Sequence, residues 1–180
     1  ISSSILSSTL AFAKGTVHAA HEHGAAKLNL LVEGTKLTAE FEVPSESIYG
    51  FEYEPKTDFD KKKREAGGDK LKSNIDKMII LDAKLGCKFT NSKLDLHAEE
   101  SDEANLKKSK DPKEKAKHDA EHSETHAKFI ADCKLPLAGT KATFGFSKVF
   151  SGIHSVKVQV LSGEKQSGLE VEKDKGSVDL

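Results

Sequence analysis

The strongest constraint in the chain is a pair of apolar alternations, "AKLNLLVE" and "KLTAEFEV", with Gly34-Thr35 between them. Leu28, Leu30 and Val32 recur at every second position in the first, and Leu37, Ala39, Phe41 and Val43 in the second. A period of two places each set on one face of a strand, and the short Gly-containing connection makes the two a β-hairpin. Pro44 and the serines after it end the second strand. The hairpin commits the chain to a sheet with one apolar face.

The other segments extend that sheet. "HAKFIADCKLPL" carries Ala127, Phe129, Ala131, Cys133 and Leu135 on one face, which places Cys133 toward the core and His126 away from it. "HSVKVQVL" alternates at Val156, Val158 and Val160, and a strand region beginning at Cys87 and Phe89 reaches Leu94 and Leu96. Thr57 is placed to cap a helix through "DFDKKKREA", with Asp58 and Asp60 in its first turn. Gly67-Gly68 is expected to interrupt that helix, with a second piece carrying Leu71, Ile75, Met78 and Ile79. The expected class is α+β and mostly β: an antiparallel sheet or sandwich with one interrupted helical segment. Residues 97–125 hold Leu106 as their only large apolar side chain and mix many lysines with acids. Such a stretch cannot bury enough surface to offset its ordering entropy, so it reads as a charged, disordered, His-containing insertion in a single domain spanning 26–180.

Charge excludes some partners. The formal net charge is -1, so no overall field favours nucleic acid or an anionic membrane. The opening "ISSSILSSTLAFAKG" ends its apolar run in Ala11-Phe12-Ala13, an A-x-A cleavage pattern. Residues 1–13 are read as the remnant of a signal peptide and residues 14–25 as a flexible His-containing arm. No later stretch approaches the roughly 20 apolar residues of a membrane-spanning helix. A soluble, exported protein is expected. In an oxidising compartment Cys87 and Cys133 are most simply one disulfide, with buried thiols or thiolate zinc ligands as the alternatives.

Histidines are unevenly placed. His18, His21 and His23 form an "HxxHxH" lead-in, and His118, His122 and His126 stand at four-residue intervals in "HDAEHSETH". On a helix the second set falls on one face, where neighbours can chelate one zinc. Asp119, Glu121 or Glu124 can supply oxygen ligands there. Neutral imidazole is available near pH 7 because its reference pKa is about 6.5. "HDAEH" also fits the letters of the inverted zinc-peptidase motif H-x-x-E-H. A catalytic zinc needs a rigid helix, a third protein ligand and a water-excluding cleft, and this match lies in the least foldable part of the chain. The histidines are therefore read as metal-holding, and the protein as non-enzymatic. His97 and His154 stand alone.

"HEHGAAKLNLLVEG" followed by "VPSESIYGFEYEPKT" resembles the ZrgA-like zinc-binding proteins of the Gram-negative periplasm. The resemblance rests on His21-Glu22-His23-Gly24 before a hairpin, then Pro44, Gly50, Phe51, Glu52, Pro55 and Thr57. It continues through Cys87, the charged insertion, and the spacing His126 to Phe129 to Cys133. Phe150, Gly152, Ile153, Val156, Val158 and Gln159 complete it. It implies periplasmic zinc binding in support of a zinc-uptake system. The insertion departs from the family's dense His/Asp/Glu runs by its lysines, which repel cations.

The expected ligands are His118, His122 and His126, with His21 and His23 as a second or shared site. His18, Asp119 and Glu121 are additional candidates. The expected function is an exported zinc-binding protein supporting zinc acquisition or buffering, with zinc as its bound metal and a zinc-uptake component as partner. The rival reading is a non-catalytic envelope interaction module with incidental histidines.

Overall fold

A computed structural model describes residues 23–99 and 123–180. Strands hold 48% and helices 24% of the described residues, as the mostly β class requires. The hairpin forms as the alternation dictates. β1 (Ala25–Glu33) pairs antiparallel with β2 (Lys36–Pro44), from Lys27↔Glu42 to Glu33↔Lys36. Short helices α1 (Glu46–Tyr49), α2 (Asp58–Ser73) and α3 (Ile75–Met78) follow, then β3 (Ile79–Leu81) and a 3-10 turn, Ala83–Leu85. The chain continues through β4 (Lys88–Glu99), β5 (Ser123–Asp132), β6 (Lys141–Phe144) and α4 (Phe146–Val149). It closes with β7 (Ser155–Ser162), β8 (Lys165–Glu172) and β9 (Ser177–Asp179).

Six strands make one sheet in the order β4-β5-β2-β1-β7-β8, and three make a second, β3-β6-β9. Every neighbouring pair is antiparallel except β1 and β7, which run parallel from Ala25↔Ser155 to Val32↔Ser162. One face of the large sheet is dry. Leu28, Leu30, Leu37, Phe41, Phe129 and Val158 lie there, each 2% exposed or less. The smaller elements share this core: Phe146 of α4 stacks on Phe41 of β2 with ring centroids 5.4 Å apart. The opposite face is open and polar, as the alternating burial of β1 and β5 shows.

Two details differ from the sequence reading. The Gly67-Gly68 pair does not interrupt α2, which runs unbroken from Asp58 to Ser73. A Cβ on Gly67 would lie 3.0 Å from both the Ile48 carbonyl oxygen and Tyr49 Cβ, and one on Gly68 2.7 Å from Leu96 Cδ1. The pair is there so that α1 and β4 can approach the helix, and the break falls at Asn74 instead. The strands also reach into the charged stretch, since β4 continues to Glu99 and β5 begins at Ser123. Glu99 pairs with Ser123, so the ladder itself borders that stretch.

The expected bridge is present. Cys87 and Cys133 are joined as a disulfide, which removes thiolate ligation and free thiols from consideration. It sits beside the Lys88↔Asp132 pair, at the far end of the β4–β5 ladder from Glu99 and Ser123. The bridge thus staples the base of this hairpin and leaves its charged end to be held by hydrogen bonds. With a sequence separation of 46, the chain-entropy model gives it about 3–4 kcal/mol of stability. The double variant Cys87→Ser/Cys133→Ser should lose about that much in urea denaturation, with far-ultraviolet circular dichroism unchanged below the transition. A loss below about 1 kcal/mol would mean that the ladder alone holds the unfolded-state loop closed.

Candidate metal centre

Pairing brings six chain positions to one end of the large sheet. The start of β1 lies beside the end of β2, and Pro44 of β2 pairs with Glu124 of β5. Glu99 ends β4 against Ser123, while Ala25, Ser155 and Glu172 align across β1, β7 and β8. All four histidines of the described residues belong to this end by backbone position. His23 precedes β1, His97 lies near the end of β4, His126 near the start of β5, and His154 just before β7. The four come from distant parts of the sequence, so only the register gathers them.

Gly24 sets the first of them. Its φ of +79° is a left-handed conformation, and a Cβ there would meet the Gly152 carbonyl oxygen at 2.6 Å and His154 Cδ2 at 2.7 Å. The His154 N–H donates to the Gly24 carbonyl at 2.8 Å. Only glycine fits this crossing, which explains the glycine after His23. The His23 ring then reaches α1, where its Nδ1 pairs with Glu46 Oε1. Glu52 joins them: one ligand atom from each of His23, Glu46 and Glu52 lies within 4.8 Å of the others.

The carboxylates of this group stand on a hydroxyl network. Ser45, fully buried, bonds Thr125 Oγ1 at 3.2 Å and donates to the Leu96 carbonyl at 3.3 Å. Its N–H donates to the Ser123 carbonyl at 2.9 Å. Ser123 Oγ donates to the Glu52 carbonyl at 2.8 Å, and Tyr49 Oη donates to the Leu96 carbonyl at 2.7 Å. These bonds tie α1 and the Glu52 segment to the ends of β4 and β5. Burial raises the Tyr49 phenol above its ordinary range, and hydrogen bonds from Ser45 and Ser123 oppose the rise.

A second group lies on the open face. Glu42 of β2 is the register partner of His126 of β5, and Glu124 is two residues along on the same face. Their ligand atoms also fall within 4.8 Å of one another, with His126 Nε2 2.8 Å from Glu124 Oε2. Among the described residues the two groups have no residue in common.

A zinc ion bound at about 2.0–2.2 Å needs N and O donors roughly 3.3 Å apart, within reach of small side-chain rotations from either group. One imidazole and two carboxylates suit a borderline divalent cation and leave a fourth position for water or an added ligand. Of the expected ligands, His23 and His126 are thus each placed with two carboxylates. His18, His21, His118, Asp119, Glu121 and His122 lie outside the described residues. His126 stands in the strand β5, not on a helix. Glu42, Glu46 and Glu52 escaped the sequence reading because they are distant from the histidines in the chain. Glu46 and Glu52 do fall within "VPSESIYGFEYEPKT", the segment that carries the resemblance.

The Tyr49 environment has a measurable consequence. A phenol raised on folding favours the native state below its unfolded pKa of about 10, and that contribution is lost as pH rises through the folded value. Tyr49→Phe should make the alkaline loss of stability shallower, and cost about 1 kcal/mol near neutrality for the Leu96 bond. Denaturation at pH 7 and across the alkaline limb checks both signs.

A family model for zinc uptake proteins of the ZrgA family matches residues 20–180, nearly the whole chain, and the chain belongs to that family. None of the curated proteins matches it.

Proposed function

Taking membership of a zinc uptake family as premise, we propose that this is an exported, non-catalytic zinc-binding protein that buffers or delivers zinc in the periplasm. The carrying observation is the meeting of His23 with Glu46 and Glu52 at the sheet end. This group has the donor types zinc takes, and it rests on a buried hydroxyl network that fixes two of its three attachment points.

Topology adds weight. The arm carrying His18 and His21 is joined to the fold at His23, and residues 100–122 with His118 and His122 are joined at Glu99 and Ser123. Both histidine-bearing segments therefore attach where the folded donors lie. Zinc is the cargo here, and a zinc-uptake component is the partner that would receive it. No helix among the described residues is long and apolar enough to cross a membrane.

An exposed site of three protein donors favours exchange over permanent retention: His23 is 70% exposed in the pair with Glu46. Water can reach the ion, and a competing ligand can take the fourth position. Such an arrangement suits carriage better than a closed structural site.

Chelator competition on the disulfide-bonded chain tests the proposal. Saturable zinc binding is expected, weakened at least tenfold in His23→Ala and also in Glu52→Gln. Affinity should fall steeply between about pH 7.5 and 5, because protons compete for imidazole nitrogen. Weak, non-saturating uptake by the parent chain, or full affinity at about pH 5, would contradict histidine ligation.

A further inference from the structure

We propose that Glu42, Glu124 and His126 form a second divalent-cation site on the open face of the large sheet, and that Lys27 competes with the cation for Glu42. The inference rests on the zinc reading above but adds a site made wholly of strand side chains. The sequence pattern offered His126 and Glu124 as donors, but neither it nor the family match assigns Glu42 or the competition from Lys27.

The geometry comes from the ladder. Glu42 and His126 are direct partners across β2 and β5, a relation that places their side chains on the same face as neighbours. Glu124 precedes His126 by two, the strand period, and so shares that face. The three ligand atoms lie within 4.8 Å of one another. A shallow cavity of about 180 Å³ opens here, lined by Glu40, Glu42, Lys93, His126 and Lys128 among others. Glu42 and His126 line this concavity, on a sheet with strands paired on both sides of β2 and β5.

Local cations set the site's strength. Lys27 Nζ lies 3.5 Å from Glu42 Oε2, and Lys128 Nζ donates to Glu40 Oε1 at 2.9 Å. Lys128 is thus occupied by a carboxylate outside the group, whereas Lys27 contacts one inside it. A bound dication must displace Lys27 from Glu42, so the lysine lowers affinity without being a ligand. With sulfur absent from the donors and both cysteines in the disulfide, the fitting class is a borderline first-row dication such as zinc, not a soft monovalent ion.

The experiment is zinc titration of the full, disulfide-bonded chain against a chromogenic chelator, with stoichiometry by elemental analysis. Glu42→Gln should remove one zinc equivalent or weaken one site at least tenfold, while leaving the His23-dependent site intact. Lys27→Met should strengthen the same site by about two- to fivefold, the converse of losing a surface ion pair. Both positions are on the open face, so the fold is expected to hold, and circular dichroism checks it. Unchanged stoichiometry and affinities in Glu42→Gln would overturn the proposal alone, as would weaker binding in Lys27→Met. A parent chain that binds no zinc would overturn both this proposal and the zinc reading.

Discussion

The register of β2 against β5 is the interaction on which the rest depends. Nine residue pairs run from Lys36↔Asp132 to Pro44↔Glu124 without a shift. A slip by one residue would turn His126 and Glu124 into the core and bring Phe129 out to water. Burying Phe129 is worth roughly 2–3 kcal/mol, and the alternating Ala127 and Ala131 add to the penalty for slipping. The hydrophobic pattern of β5 thus fixes the coordinates of its polar residues. It also fixes Ser45 against Ser123 and Thr125, and through them the segment bearing Glu46 and Glu52. Donor placement on both sides of β5 is a by-product of core packing.

A zinc-carrying protein must hold its donors together without closing around the ion. Fully buried ion pairs would oppose this, because desolvating two carboxylates is costly until a metal arrives. Here the carboxylates stay partly exposed, Glu46 and Glu124 beside histidine nitrogens and Glu42 beside the Lys27 ammonium. The fold beneath does not share that openness. Its disulfide lies at the opposite end of the β4–β5 ladder, where it stabilises the hairpin without contacting the donors. Oxidised sulfur also cannot compete for zinc, so the donors in the proposed sites are imidazole and carboxylate.

Much of the fold was legible because its signals are local. The β1–β2 alternation, the Gly34-Thr35 turn, the Thr57 cap and the parity that turns His126 outward each need only a few neighbouring residues. Thr57 indeed accepts from the Asp60 N–H at 3.1 Å. Gly67-Gly68 misled because a glycine pair that breaks a helix and one that admits a neighbour look alike in sequence. Only Ile48, Tyr49 and Leu96, brought in by tertiary structure, separate the two. The same limit applies to the metal groups. The histidines stood out by clustering, but Glu42 and Glu46 join them across 84 and 23 positions, respectively, and no local period encodes that. Family resemblance partly bridged the gap, since Glu52 lies in the Gly-Phe-Glu element that carried it.

The central claim is that folded side chains, not merely histidine-bearing segments, hold the metal. Its most direct test is an anomalous-difference map recorded at the zinc edge from crystals of the zinc-loaded chain. A peak between His23, Glu46 and Glu52 is the predicted result. Strong peaks confined to other parts of the molecule, with this group bare at full zinc occupancy elsewhere, would contradict it.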